Sequence, residues 1–416
     1  MGTPVLLARG SVAVAVVILV LLAFIGWGVL YFVPEGTNLV ADTGTSTPTL
    51  VSNTAQEALP TYPSDLVTLY WVEEYQTSER ERSWPTKSVW IKKGAAAPEH
   101  LATVGKVGEY PARFLLSPDH KYIAIDLEHR IDLLEIATNK VQQLITLPNH
   151  VAGLTFAQDS STLWVSEAGI YGQGDRAIYK IHSVDLATGQ DTVRATGNNA
   201  DIKGDLALYK VRDDGTVFYH TLTYTEGGPP PGALNLATGE RRVVNGGYYM
   251  SMDGTRALEP LENTPDTGCS EFGPSVARIR MKVVEPVTRQ EFGTVGIANK
   301  AFLFIAFSPD AKEVLYATAP VPIDCSYQPA DAYYRQAVTG EQPQKVTDPI
   351  ALLKTWQSPQ FGMDFERDQA GKATMPFSSI LYLGPTRLAQ GIPLIRAATA
   401  HAGIIGGYYE KVQPAI

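Results

Sequence analysis

The chain has 416 residues, with 34 Lys and Arg against 43 Asp and Glu for a net charge of −9, and 44% of it is hydrophobic. That apolar fraction fills a full-sized core and excludes wholesale disorder, while the acidic balance excludes a nucleic-acid binder, whose phosphate contacts need clustered Lys and Arg. Two cysteines are too few for a disulfide-scaffolded mini-protein or a four-Cys zinc site.

At the amino end, Ser11 to Val33 runs without a charge and carries Trp27, Tyr31 and Phe32 toward its far end. About 20 apolar residues span a bilayer core as a helix, and aromatic rings favour its headgroup boundary. The run is longer than the apolar stretch of a signal peptide, and the exit Val33-Pro34-Glu35 offers no small-x-small cleavage site. A transmembrane helix over 11–33 is therefore expected, anchoring the chain in a membrane. Arg9 precedes it and Glu35 and Asp42 follow it, which places residues 1–10 in the cytoplasm and the rest outside, in the periplasm or on the cell surface. Residues 34–65, rich in Thr, Ser and Pro, read as a flexible tether with a coil span of about 30 Å.

Residues 66–416 are dominated by self-similarity. A small-x-Asp turn recurs at Ser117-Pro118-Asp119, Ala157-Gln158-Asp159, Arg212-Asp213-Asp214, Ser251-Met252-Asp253 and Ser308-Pro309-Asp310, each preceded by an apolar run and followed by an apolar or alternating one. A second turn recurs downstream of each, with its threonine at Thr138, Thr188, Thr238, Thr288 and Thr339. Asn139, Gly189, Gly239 and Gly340 follow four of these and suit a left-handed hairpin position; Arg289 departs from the pattern. Each unit of about fifty residues thus reads as four strands, and a four-stranded unit in tandem is a β-propeller blade. No stretch shows sustained helical periodicity.

Five units carry both turns. Before them, Val67–Glu73, Ser88–Lys92 and His100–Val104 read as three strands of a unit that lacks its first. After them, Leu352–Gln357, Gly362–Phe365, Ser379–Leu383 and Pro393–Ala398 read as a further unit. The remaining piece, Gly403–Val412, has Gly406-Gly407-Tyr408-Tyr409, which mirrors Gly246-Gly247-Tyr248-Tyr249. It is expected to supply the missing strand of the first unit and close the ring. The fold class is all-β, a seven-bladed propeller, with six or eight blades left open because the end units lack the turn signatures.

The Ser-Pro-Asp and Ala-Thr-Gly turns resemble those of WD40-like propellers related to the TolB β-propeller, over most of residues 66–416. The Gly-His and Trp-Asp signatures of true WD40 repeats are absent. The resemblance implies a propeller that tends to bind proteins or ligands, and no particular reaction.

Strand alternation puts both recurring turns at one end of each unit. The connections between second and third strands, where length varies, share the other end: about Glu74–Lys87, Ala168–Ala177, Thr223–Gly232, Glu262–Val276, Pro320–Ala332 and Glu366–Pro376. Long insertions on one face of a repeat array mark a binding face. Those loops carry Trp84, Tyr171, Tyr224, Phe272 and Tyr327 with Glu226, Glu271, Asp324 and Asp331 nearby, a set suited to stacking on a glycan or anchoring a protein partner. Cys269 lies 18 residues after Ser251 and Cys325 lies 17 after Ser308. They thus occupy equivalent loops of neighbouring units, and outside the cytoplasm a disulfide between them is expected.

Catalytic constellations are sparse. The seven histidines include no pair at i,i+2 or i,i+4, and neither a G-x-S-x-G elbow nor a phosphate-binding glycine loop is present. No metal site, cofactor or catalytic residue is assigned. The leading expectation is a binding or scaffolding module of the cell envelope. The alternative is an envelope carbohydrate-active or other hydrolytic enzyme, in which Glu226, Glu271, Asp324 and Glu366 converge as acid and base.

Overall fold

The computed structural model describes residues 63–74, 86–105, 109, 111–168, 178–198, 205–222, 231–244, 249–263, 278–320, 330–358, 361–367, 373–383, 386–389, 393–395 and 402–410. All belong to the second of two compact units, Ala58–Ile416. Seven antiparallel sheets follow one another along the chain. Sheet 1 holds β1 (Leu66–Glu74), β2 (Thr86–Lys93) and β3 (Glu99–Val104). Sheet 2 holds β4 (Arg113–Leu116), β5 (Tyr122–Asp126), β6 (Arg130–Glu135) and β7 (Lys140–Thr146), and sheet 3 holds β8 (Val151–Phe156), β9 (Thr162–Glu167), β10 (Ile178–Asp185) and β11 (Asp191–Asn198). Sheet 4 holds β12 (Asp205–Val211), β13 (Thr216–Leu222), β14 (Gly232–Asn235) and β15 (Arg241–Val243), and sheet 5 holds β16 (Ala257–Asn263), β17 (Arg278–Val284) and β18 (Glu291–Val295). Sheet 6 holds β19 (Lys300–Phe307), β20 (Glu313–Pro320), β21 (Ala332–Ala337) and β22 (Gln344–Val346). Sheet 7 holds β23 (Phe361–Arg367), β24 (Ala373–Leu383), β25 (Thr386–Ala389) and β26 (Pro393–Ile395), with both β25 and β26 paired to β24.

The last strand, β27 (Ala402–Tyr409), joins sheet 1 at the open side of β1, pairing Leu66 with Tyr409 through to Val72 with Ala402. The Glu410 amide donates to the Asp65 carbonyl at 2.7 Å, and Tyr408 stacks on His120 of sheet 2 with ring centroids 4.2 Å apart. Chain tail and chain head therefore share a sheet, as expected of a closed propeller.

Both recurring turns form as the sequence indicates. Ser117 donates its hydroxyl to Asp119 at 2.7 Å and accepts from the Tyr122 amide at 3.0 Å. Ser308 and Asp310 repeat the arrangement at 2.8 Å, with Ser308 accepting from the Glu313 amide at 2.9 Å. In all five small-x-Asp turns the residue after Asp has positive φ: His120, Ser160, Gly215, Gly254 and Ala311. The residue after each recurring threonine does the same, at Asn139, Gly189, Gly239, Arg289 and Gly340. Arg289 thus takes the backbone shape of the motif without its usual residue.

Consecutive sheets pack face to face through apolar side chains, each fully buried Val, Leu or Ile contributing roughly 1.5–3 kcal/mol. Val67, Leu69 and Val89 of sheet 1 meet Ile123, Ile125 and Leu134 of sheet 2. Ile131 and Leu133 meet Leu154 and Val165 of sheet 3. Ile181 meets Leu206, Leu208 and Val217 of sheet 4, and Met281 and Val283 of sheet 5 meet Phe302, Val314 and Tyr316 of sheet 6. At Gly153 the backbones of sheets 3 and 4 touch: a Cβ there would sit 2.4 Å from the Leu208 amide.

Three expectations are corrected. Leu352–Gln357 is not a strand but the body of helix α1 (Pro349–Trp356). Asp348 caps it by accepting from the Ala351 amide at 2.9 Å, and Pro349 sits in its first turn. Leu353 and Trp356, three apart, bury against Ile305 and Leu315 of sheet 6 and Leu66 and Tyr409 of sheet 1. Eight residues are too few for helical periodicity to stand out. As a result sheet 7 begins at β23, and the expected connection Glu366–Pro376 instead carries the ends of its first and second strands, which pair Glu366 with Thr374 and Arg367 with Ala373. Sheet 5 has three strands, the expected first one being reduced among the described residues to a bridge between Met250 and Ala257.

The third correction concerns the membrane. Among the described residues α1 is the only helix, about 12 Å long where about 30 Å is needed, and no helix is long and apolar enough to cross a bilayer. The single-pass placement, with its cytoplasmic amino end and extracytoplasmic domain, is overturned by this finding. Residues 11–33 and the tether as far as residue 62 lie outside the described residues.

Candidate functional site

The two ends of the sheets are built differently. At the end of the recurring turns, each turn closes largely on its own carboxylates and amides, and a few bonds run on to the next sheet: the Asp119 amide donates to Ser160 at 3.0 Å and Arg212 pairs with Glu285 at 2.5 Å. Partial burial pushes the Asp119 carboxyl up, but bonds from Ser117 and Lys121 more than reverse this and hold it below the usual carboxylate range. Asp310 is held low by the Ser308 hydroxyl and the Lys312 amide. These aspartates are turn formers with their capacity already used.

The opposite end carries the variable connections, from the three residues Leu127–His129 to the stretch 264–277. Here the buried charges of Lys87, Asp126 and Glu167 and the half-exposed Arg113 tie the sheets and their connections together. Lys87, 2% exposed, donates to the Pro111 carbonyl at 2.7 Å, lies 3.9 Å from Glu73, and sits 4.0 Å from the centre of the Trp71 ring. Burial lowers its pKa and the nearby Glu73 charge partly restores it. Arg113 bonds Asp126 within sheet 2 and the carbonyls of Val151 and Ala152 in sheet 3, at 2.6–2.8 Å. Asp126 is buried, which raises its pKa against the pull of Arg113. In sheet 3, Glu167 accepts from the backbone and side-chain amides of Asn149 and from His182, whose other ring nitrogen faces Asp191 at 3.0 Å.

These anchors fix the short connections of sheets 2 and 3. Glu128 is held at φ 66° with its amide donating to Asp126 at 2.9 Å. Its carbonyl accepts from Val151 at 2.7 Å, that of His129 from Leu147 at 2.7 Å, and that of His150 from Ala168 at 2.8 Å. The His129 and His150 rings lie with centroids 4.2 Å apart.

The sequence-based candidates fall elsewhere. Trp84, Tyr171, Tyr224, Phe272, Tyr327, Glu226, Glu271 and Asp324 lie outside the described residues, as do Cys269 and Cys325. Asp331 is described, and its carboxylate accepts from Thr318 at 2.5 Å and pairs with Lys300, tying its loop to β19 and β20. Sequence reasoning missed Lys87, Glu167, His182 and the clamp at Arg113, because only the pairing of distant strands shows what surrounds them. A polar cavity of about 490 Å³ between sheets 5 and 6 is lined by Arg280, Gly296, Gln336 and Gly340. Gln336 there is committed to structure: it accepts from Gly296 and Tyr316 and donates to the carbonyls of Thr294 and Glu341.

No family model and no curated protein sequence matches the chain. Among solved structures it is similar to TolB from Acinetobacter baumannii, at 15% identity over 69% of this chain and 66% of that one, with a TM-score of 0.36. It is also similar to oligogalacturonate lyase from Vibrio parahaemolyticus (12%, 68% and 79%, 0.36) and to the Cps50 (Swd1) β-propeller domain of Myceliophteria thermophila (11%, 56% and 74%, 0.33). The chain thus spans about two thirds of the TolB structure's length. At these scores the likenesses add no argument of their own; the propeller stands on the strand order, the closing pair and the inter-sheet core described above.

Proposed function

We propose that the chain is a seven-bladed propeller, one blade per sheet, that works as a binding or scaffolding module for a protein or glycan partner through the end bearing the variable connections. The observation that carries this reading is the contrast between ends: five small-x-Asp turns of one backbone shape on one side, connections of unrelated length on a buried-charge frame on the other. Insertion at a single end of a repeat array is where binding surfaces are built. A count of seven is supported by β23 lying against β27. A six-sheet ring with sheet 7 outside it is the second reading, favoured by the core that α1 shares with sheets 6 and 1.

A disulfide between Cys269 and Cys325 belongs to the same proposal, because the β16–β17 and β20–β21 connections occupy equivalent places in consecutive sheets. The hydrolytic alternative, with Glu226, Glu271, Asp324 and Glu366 as acid and base, needs two carboxylates about 5–10 Å apart across a cleft. No described contact favours it.

The test uses the immobilised full-length chain and extract of its source organism. A partner retained by the wild type is expected to be lost, with affinity falling at least about 10-fold, on Trp84→Ala, Tyr224→Ala or Tyr327→Ala. Thr138→Ala and Thr188→Ala, at the opposite end, leave it bound. Retention unaffected by the loop changes, or lost on the turn changes, overturns the assignment of the face.

A further inference from the structure

Glu128, His129 and His150 are not needed by the binding reading, and their side chains make up the one group among the described residues in which three metal-donor residues converge. One carboxylate oxygen and one nitrogen from each imidazole lie within 4.8 Å of one another, all on exposed side chains. We propose that these three residues form a binding site for a divalent transition-metal ion of the zinc type.

Three observations carry this. The donors come from two connections, Leu127–His129 and the stretch between β7 and β8, whose backbones are locked. The Glu128, His129 and His150 carbonyls are all bonded across to other segments, the Glu128 amide is held by the buried Asp126, and Asn149, beside His150, is clamped by Glu167. Only side-chain torsions remain free, so closing on an ion needs no backbone rearrangement. Second, the distances suit the ion. Ligands at about 2.0–2.2 Å from a tetrahedral metal stand roughly 3–3.5 Å from each other, within reach of modest rotations from the present arrangement. Third, the donor chemistry selects the class of metal. Two neutral imidazoles and one carboxylate suit zinc, cobalt, nickel or copper, whereas calcium and magnesium require oxygen ligands.

The surrounding charges leave the group to its own devices. Arg113 is engaged by Asp126 and the sheet 3 carbonyls, and Arg130 by Glu109 and Asp132, so neither cation is committed to Glu128. Three protein ligands on an exposed surface leave the fourth position open to water or an exogenous ligand, the arrangement of sites that are not purely structural.

The test titrates zinc ion into the chelator-treated full-length chain by calorimetry, with cobalt absorption in the visible range as a second readout. One saturable site per chain is expected. His129→Ala and His150→Ala should each weaken it about 100-fold and abolish the cobalt bands, and Glu128→Gln should weaken it about 10-fold. Cys269→Ser with Cys325→Ser leaves it unchanged. Because the three side chains are exposed, metal-free variants should unfold at the wild-type temperature, which separates loss of metal from loss of fold. Absence of a saturable site, or a site with unchanged affinity in the His129→Ala/His150→Ala double variant, overturns the proposal.

Discussion

The end of the sheets that carries the recurring turns and the end that carries the variable connections solve the same problem, reversing the chain, with opposite chemistry. The first uses local motifs: a carboxylate and one residue of positive φ in all five turns, joined in three of them by a buried Ser hydroxyl. The second uses unrepeated charges: the buried Lys87 holds the Pro111 carbonyl on the way to sheet 2, Arg113 links buried Asp126 to sheet 3, and buried Glu167 holds Asn149 in the connection from sheet 2. The turns also reach their neighbours, through the Asp119 amide on Ser160 and Arg212 on Glu285, but their backbone shape is set locally. A connection anchored by a bridge to the next sheet is held in place yet remains free in length and sequence. That is the arrangement expected of an end that presents a surface.

The contrast breaks most readily at Lys87. Lys87→Ala leaves Glu73 and the Pro111 carbonyl buried beside a void, and should cost about 3–5 kcal/mol in denaturant titration, whereas Lys87→Met, which keeps the volume, should cost less. If the Ala variant falls within about 1 kcal/mol of wild type, the buried frame is not what holds that end. Next in size, Cys269→Ser should lower stability by about 2–4 kcal/mol if the disulfide exists. Two free thiols in the unreduced, denatured protein would remove that bridge from the account.

At the turn end the effects should be smaller and uniform. Ser308→Ala deletes the hydroxyl that bonds Asp310 and the Glu313 carbonyl and accepts from the Lys312 and Glu313 amides, and should cost about 1–2 kcal/mol. Ala311→Gly, which relieves a left-handed Ala, should stabilise by roughly 0.5 kcal/mol. Asp310 and Asp159 are held below the ordinary carboxylate range by their turn bonds. Their contribution is therefore complete above about pH 4, the unfolded value, and is lost as pH falls through the lower folded value. Buried Asp126 is shifted the other way and opposes this. Amide exchange between pH 6 and pH 3 should therefore accelerate at the turn end before it does so around β5. The reverse order would contradict the division.

What was legible in the sequence was local. A turn needs only its own four or five residues, so all ten recurring turns could be read, and β27 could be paired with sheet 1 from the mirrored Gly-Gly-Tyr-Tyr. The helix α1 was misread because its apolar run, Leu352 to Trp356, is as short as a strand, and its signals were the cap Asp348 and Pro349. The buried charges were invisible because their partners, such as Pro111 for Lys87 and Asn149 for Glu167, are reached only through folding. His129 and His150 were dismissed for want of helical or strand spacing, yet two separate connections bring them together. The aromatic candidates, all on the longest connections, lie outside the described residues and rest on the argument from loop position alone.

The central claim is that the ring closes through β27, and truncation tests it most directly. A chain ending at residue 401 removes the strand that pairs with Leu66–Val72 and the Tyr408 ring stacked on His120. The account predicts that this chain loses the single cooperative thermal transition of the full-length protein, and that a peptide of residues 402–410 added in trans partly restores it. An unchanged transition in the truncated chain would show that sheet 1 does not depend on the tail, and the closed ring would have to be abandoned.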